Sequence, residues 1–236
     1  MKGQGRRLIT TVLLAALCAA FLYQIGLLGM VVWFNFRNPS NTPVMQDTLN
    51  ALRAEDSQAR LAHEWVPYER ISPNLKRAVI ASEDSGFVDH DGVEWDAIRK
   101  AWSYNQRQAD LGRARRRGGS TITQQLAKNL FLSNSRNYLR KGQELILTYM
   151  IEAVMSKRRI LELYLNVAQW GTATFGAQAA ARHYFRTDAA RLSSGQAARL
   201  AAMLPNPAYY DRHGATAYLQ SHAATVRARM SQVAVP

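Results

Sequence analysis

Two groups of residues in this chain are placed to do chemistry on a hydroxyl and on a phosphate. Glu83 stands beside Asp84, just ahead of Ser85-Gly86, where a helix opened by Ser72-Pro73 should end. A carboxylate at a helix C-terminus lies at the negative end of the dipole, and burial against Phe87 would disfavour its charge further. Both effects raise its pKa, which suits general acid or base work near neutrality. An ion pair with Lys76 or Arg77 is the structural alternative. Downstream, residues 116–131 read Arg-Arg-Gly-Gly-Ser-Thr-Ile-Thr-Gln-Gln-Leu-Ala-Lys-Asn-Leu-Phe. Ile122, Leu126 and Leu130 step by four and predict a buried stripe, with Thr121, Gln124, Gln125 and Lys128 on the other side. A helix N-terminus preceded by glycines is a natural anion site. It is not a P-loop, because no Gly-Lys-Ser/Thr follows the glycines and Lys128 lies nine residues beyond Gly119.

The elements that must position these groups are mostly helical. Leu75, Ala78 and Val79 supply the apolar face of the helix that carries Glu83. Trp95, Ile98 and Trp102 recur at i, i+3 and i+7 and predict a second helix after the turn His90-Asp91-Gly92. Leu145, Ile146, Tyr149 and Met150 mark a long helix after Arg140-Lys141. Ser156 caps the next, with Ile160, Leu161, Tyr164 and Leu165 inward. Ser193-Ser194-Gly195-Gln196 is a capping-box pattern that opens a helix closed by Pro205. Strand-like alternation is scarce, so at most one small hairpin is expected. The run from Gly112 to Gly119 has no periodicity and strong self-repulsion, which predicts a mobile loop.

Leu8 to Phe36 is 29 residues without a charge, whereas about 20 helical residues cross a hydrocarbon core. Lys2, Arg6 and Arg7 precede it with no acid to offset them, so the N-terminus should stay cytoplasmic. A cleaved signal peptide is the competing reading, since Cys18-Ala19-Ala20 offers small residues. Apolar sequence nevertheless continues to Phe34, beyond an ordinary signal core. Cys18 is the only cysteine, which excludes an intrachain disulfide and a Cys-based metal site. Asn38-Pro39-Ser40-Asn41-Thr42-Pro43 is a breaker-rich exit, followed by a polar linker or helical stalk to about Arg60.

Without the three N-terminal cations the chain keeps 27 Lys and Arg against 17 Asp and Glu, a net +10. Such a balance attracts anionic lipid, phosphorylated substrates or nucleic acid. No zinc spacing, RNP-like aromatic run or helix-turn-helix pattern supports nucleic acid. His63, His183, His213 and His222 show no metal spacing; His90 has two readings, a ligand or a hydrogen bond at the turn, of which the second is the simpler.

Four motifs in order carry a resemblance. Glu-Asp-Ser-Gly-Phe-Val-Asp-His-Asp-Gly at 83–92, Gly-Gly-Ser-Thr-Ile-Thr-Gln-Gln-Leu-Ala-Lys-Asn at 118–129, Arg-Lys-Gly-Gln-Glu at 140–144 and Ser-Lys-Arg-Arg-Ile-Leu-Glu-Leu-Tyr-Leu-Asn at 156–166 resemble those of the peptidoglycan glycosyltransferase family. His183-Tyr184-Phe185 through Pro205 resembles its closing helices. The resemblance spans about residues 65–210. It implies a mainly α, lysozyme-like domain with a small membrane-proximal jaw lobe, plus one N-terminal transmembrane helix. The implied organisation is a cytoplasmic N-terminus at 1–7, a transmembrane helix at 8–36, a linker or stalk at 37–60 and a periplasmic catalytic domain at 61–236.

The activity implied is polymerisation of lipid II into glycan strands at a bacterial inner membrane. Carried over by position, Glu83 is the general base on the GlcNAc 4-hydroxyl of the acceptor, and Lys128 and Arg136 stabilise the departing pyrophosphate. Glu144 is the second motif carboxylate, which either organises Lys128 and Arg136 or helps to hold a divalent cation. Lys100, Ser120, Gln124 and Gln125 fit a donor-side surface, although Ser120 and Thr121 could simply cap the helix, and Asp84 could tune the base. No obligate cofactor is implied, with Mg2+ or Mn2+ at most stimulatory. Expected partners are lipid II, the growing lipid-linked glycan, the membrane and other wall-synthesis or division proteins. The resemblance is to monofunctional members, since Ser-x-x-Lys and Lys-Thr-Gly are absent. Two rivals stand beside this reading. A lytic enzyme on the same fold would need a general acid and no phosphate apparatus, and a non-catalytic scaffold would not need Glu83.

Overall fold

A computed structural model describes residues 2–113, 118–133 and 138–236, in which eleven α-helices account for most of the chain. The chain divides into two units, Met1–Arg37 and Asn38–Pro236. The first is a single helix, α1 (Lys2–Phe36), whose Arg7–Phe36 stretch of 30 residues is long and apolar enough to cross a membrane. Leu8, Val12, Phe21 and Trp33 are among its exposed apolar side chains.

In the second unit, residues 38–60, nearly all of the stretch 37–60 expected as a linker or helical stalk, belong to the same compact unit as the rest. Thr42 caps α2 (Pro43–Glu55) by accepting the Met45 N–H at 3.3 Å, and Val44 and Met45 are buried. These two apolar residues at the helix start explain the difference, because burying them holds α2 on the body instead of leaving it in solvent.

One half of the body is built on α3 (Pro73–Glu83), α9 (Ser194–Met203) and α11 (Ala217–Arg229), which pack on one another. Ser72 caps α3 with Pro73 in the first turn, as the sequence predicts, and accepts the Asn74 N–H at 3.2 Å. Ser193 and Gln196 close a reciprocal capping box on α9. The buried face of α9 carries Ala197, Ala198, Ala201 and Ala202, small residues that let its neighbours approach closely.

The other half places α5 (Ile122–Phe131) against α6 (Tyr138–Val154), α7 (Lys157–Val167) and α2. Ile122, Leu126 and Leu130 form the buried stripe of α5, and Ile160, Leu161, Tyr164 and Leu165 that of α7. Between α7 and α9 come α8 (Ala177–Phe185) and, after α9, the short α10 (Pro207–His213).

Two expectations change. The strands β1 (Ala62–His63) and β2 (Thr174–Phe175) pair in parallel, and the hairpin-like antiparallel pairing is a single bridge from Gln169 to Phe175; two-residue strands carry no alternation to read. The helix α4 (Trp95–Asp110) forms where predicted, but Trp95 and Trp102 are 52% and 67% exposed, and its buried residue is Ala101. The long α6 likewise buries Leu147, Thr148 and Ile151, while Ile146 and Tyr149 face outward.

Candidate active site

The C-terminus of α3 delivers Glu83 to the wall of a cleft of about 980 Å³. One carboxylate oxygen, Oε2, accepts a hydrogen bond from Gln125 Nε2 at 2.8 Å, and Oε1 accepts one from Ser82 Oγ at 3.3 Å. The Gln125 carbonyl accepts from the hydroxyl of Tyr164 at 2.8 Å. Burial raises the Glu83 pKa; the bonds from Gln125 and Ser82 oppose the rise, and the charge of Asp84 adds to it. No ion pair joins Glu83 to a cation among the described residues. Lys76, the alternative partner, instead places its ammonium 3.7 Å from the centre of the Tyr68 ring. Burial thus acts on Glu83 in the direction expected, although buried Phe87 has Lys157 over its ring, 4.8 Å from the centre.

Asp84, next in the chain, turns away from the cleft and is buried. Its Oδ2 accepts the Ile122 N–H at 3.0 Å, at the first turn of α5, and its Oδ1 meets His90 Nε2 at 2.8 Å. The Gly92 N–H donates to His90 Nδ1 at 3.0 Å, and the Thr121 hydroxyl donates to Gly92 O at 2.5 Å. Asp84 therefore ties the base-bearing helix to the start of α5. Gly92 has φ +85°, and a Cβ there would lie 2.7 Å from side-chain atoms of Glu152 and Thr148, so no other residue fits. Asp84, His90 and Glu94 bring ligand atoms within 4.8 Å of one another. Both Asp84 oxygens and both His90 nitrogens already carry hydrogen bonds, which bears out the turn role for His90.

Across the same cleft stand Ser120, Gln124, Gln125 and Lys128 with Arg140, Lys141 and Glu144. Thr121 is the N-cap of α5 and Gln124 its reciprocal partner, so the capping alternative holds for that pair. Ser120 lies outside the helix, where its hydroxyl accepts from Lys141 Nζ at 3.4 Å. Glu144 is buried, and among the described residues its partners are Arg140 at 3.1 Å and Lys141. Lys128, which Glu144 is expected to organise together with Arg136, lines the same cleft. A dication at Glu144 would meet an ammonium and a guanidinium already on both oxygens, so the residues as arranged do not fit a metal there. Arg136 and the segment 114–117 of the expected mobile loop lie outside the described residues. Lys100 is exposed on α4, outside the cleft lining, one turn before Tyr104, which does line it.

Sequence reasoning missed Tyr164 as a cleft-supporting residue and missed Arg140 and Lys141 as cleft cations. It also missed Tyr104 of α4 and Tyr218, His222 and Arg229 of α11, which line the same cleft. Burial, and then the charge of Arg229, lower the pKa of His222. The i−4 and i−3 spacing of Arg140 and Lys141 to Glu144 was a readable signal. The wall from α11 had none, because its residues reach the cleft only through tertiary packing.

A carboxylate of raised pKa facing a row of cations in one cleft can take a proton from a hydroxyl while a phosphate-type leaving group departs. Comparison with known proteins agrees with this chemistry. The family model described as Transglycosylase matches residues 49–231. The biosynthetic peptidoglycan transglycosylase of Bordetella pertussis is 65% identical over 230 residues, covering 98% of this chain and 95% of that protein. Proteins of the same name from Herminiimonas arsenicoxydans and Chromobacterium violaceum are 50% and 51% identical, over 98% and 95% of this chain and 98% and 97% of theirs. The chain belongs to the transglycosylase family.

Proposed function

We propose that this chain is a peptidoglycan glycosyltransferase that polymerises lipid II at the outer face of a bacterial inner membrane. The observation that carries the reading is Glu83, held by Gln125 and Ser82, in one cleft with Lys128, Arg140 and Lys141. Glu83 takes the proton of the acceptor 4-hydroxyl as that oxygen bonds to the anomeric carbon of the donor sugar. The bond from that carbon to the diphosphate breaks, and the lipid diphosphate departs with the electron pair. Its growing charge falls on Lys128 and Arg136, and Lys141 and Arg140 add positive charge to the cleft that Lys128 lines. Direct displacement inverts the anomeric centre, so no sugar–enzyme intermediate forms, in contrast to a retaining glycosidase.

The helix α1 supplies a single membrane anchor with its basic end, Lys2, Arg6 and Arg7, in the cytoplasm. Trp95, Trp102 and Leu111 at α4, with Leu139, Ile146 and Tyr149 on α6, present apolar surface outward. These residues suit a lobe resting in a lipid interface, where aromatic side chains are favoured. A gel assay of glycan strands made from lipid II by the full-length protein tests the reading. Polymer from the wild type and none from Glu83→Gln supports it; release of fragments from finished wall without use of lipid II points to a lytic enzyme instead.

A further inference from the structure

On the face of α11 turned away from the cleft lies a second cavity, of about 340 Å³, between α11 and α9. Its small-residue walls come from Ala198, Leu219, Ala223 and Ala224, and two cations, Arg199 and Arg227, line it. Arg199 Nε is buried without a hydrogen-bond partner, and its guanidinium lies 5.7 Å from the centre of the Phe185 ring. Neither α9 nor α11 contains an acidic residue. Neither arginine forms an ion pair among the described residues. A buried guanidinium nitrogen with no acceptor costs stability, and two unpaired cations on one pocket repel each other. An anion in the pocket would offset both costs.

We propose that this cavity binds the carboxylate end of a peptide with small side chains, and that its natural occupant is the peptide stem of the glycan made in the neighbouring cleft. A carboxylate matches the planar fork of a guanidinium, and methyl side chains match the Ala and Leu walls. The cavity lies within the usual range for a small ligand. The connection to the cleft is short, because α11 lines both: Tyr218, His222 and Arg229 face the cleft, and Leu219, Ala223 and Arg227 the cavity. A helix with its side chains is about 10–12 Å across, and an extended peptide advances about 3.3–3.6 Å per residue. The way round half of that girth is about 16–19 Å, so roughly five residues lead from one to the other. The choice of a stem as occupant rests on the function proposed above; the carboxylate site itself does not.

The test is fluorescence anisotropy with fluorescein-labelled Gly-D-Ala-D-Ala, titrated with the full-length protein in detergent micelles. The Glu83→Gln protein is run in parallel, so that binding is read without turnover and a failure of polymerisation leaves this result intact. The free acid is expected to bind at least about 10-fold more tightly than its C-terminal amide. Arg227→Gln and Arg199→Lys should each weaken the acid by about 5-fold or more and leave the amide unchanged. Ala224→Leu, at an exposed wall position, should weaken both by filling space. Equal binding of acid and amide would overturn the carboxylate site. Tighter binding of the L-Ala-L-Ala peptide would replace the stem by a protein C-terminus and overturn the assignment of occupant. Displacement of the peptide by equimolar inorganic phosphate would show a general anion site and sink the proposal.

Discussion

Gln125 joins Glu83 to Tyr164: its amide nitrogen donates to the carboxylate at 2.8 Å while its carbonyl accepts from the phenol at 2.8 Å. The phenol fixes which end of the amide faces the base, since a hydroxyl that donates to the carbonyl leaves the NH2 group for Glu83. The donated bond holds down a pKa that burial pushes up. In Tyr164→Phe the amide can turn over, and the carboxylate loses a donor. Its pKa then rises further, so the acid limb of the pH profile of kcat/KM should move to higher pH. Turnover at the optimum should fall by less than the loss seen on removing the base itself. An unmoved acid limb would separate Tyr164 from the base.

Glu83→Gln is nearly isosteric and removes the proton acceptor. General-base catalysis is worth roughly 10²–10⁴-fold, so polymerisation should fall by about that factor. Stability should move the other way. A carboxyl whose folded pKa lies above its unfolded value is favoured in the fold when protonated, and that advantage is lost as pH rises through the folded pKa. At neutral pH the wild type therefore bears the cost of a desolvated charge that the amide does not. Functional-site residues of this kind commonly trade stability for activity. Thermal melts at pH 7 should show Glu83→Gln the more stable, with the gap narrowing as pH falls; a mutant less stable at pH 7 would contradict the burial argument.

Lys128→Met and Arg136→Met should depress turnover more than apparent lipid II affinity, because charge on the diphosphate grows as its bond breaks. Cations acting on one leaving group are coupled, so the double mutant should lose less than the product of the two single losses. Turnover preserved at saturating lipid II would reduce both residues to docking groups.

Glu144→Gln keeps the shape of the side chain but loses the charge that holds Arg140 and Lys141. Removing one partner of a buried pair costs about 3–5 kcal/mol. Lys141 is half-exposed here, so a loss nearer 1–2 kcal/mol is expected for this cluster, where solvent screens the freed ammonium. Chemical denaturation would measure it. Activity should fall at the same time, as two cations lose their fixed place beside Ser120.

The anchor rests on an apolar stretch of 30 residues at Arg7–Phe36. The protein recovered from cell membranes should keep its N-terminus and resist carbonate extraction. A mature chain starting near Phe21 would show cleavage instead.

Much of the site could be read before any coordinates. Ser72-Pro73 and the glycine after Ser85 bracket α3 and set Glu83 at its end; the four-residue step of Ile122, Leu126 and Leu130 sets the α5 face. Those signals are local, and local rules govern helix ends and stripes. The link from Tyr164 to Gln125 joins positions 39 residues apart, and no pattern within either helix announces it. The tryptophans of α4 mark a different limit. Their helical period is correct, but the period says only that they share a face, and an exposed apolar face has the same composition as one that meets a core.

Asp84 takes the Ile122 N–H while Thr121 holds the carbonyl of Gly92, so the base and the cation-bearing helix are riveted across two bonds. The chemistry is thereby done on a fixed anvil. Losing either bond would let the base drift against the cations, so Asp84 and Thr121 act as spacers that keep that distance from outside the cleft.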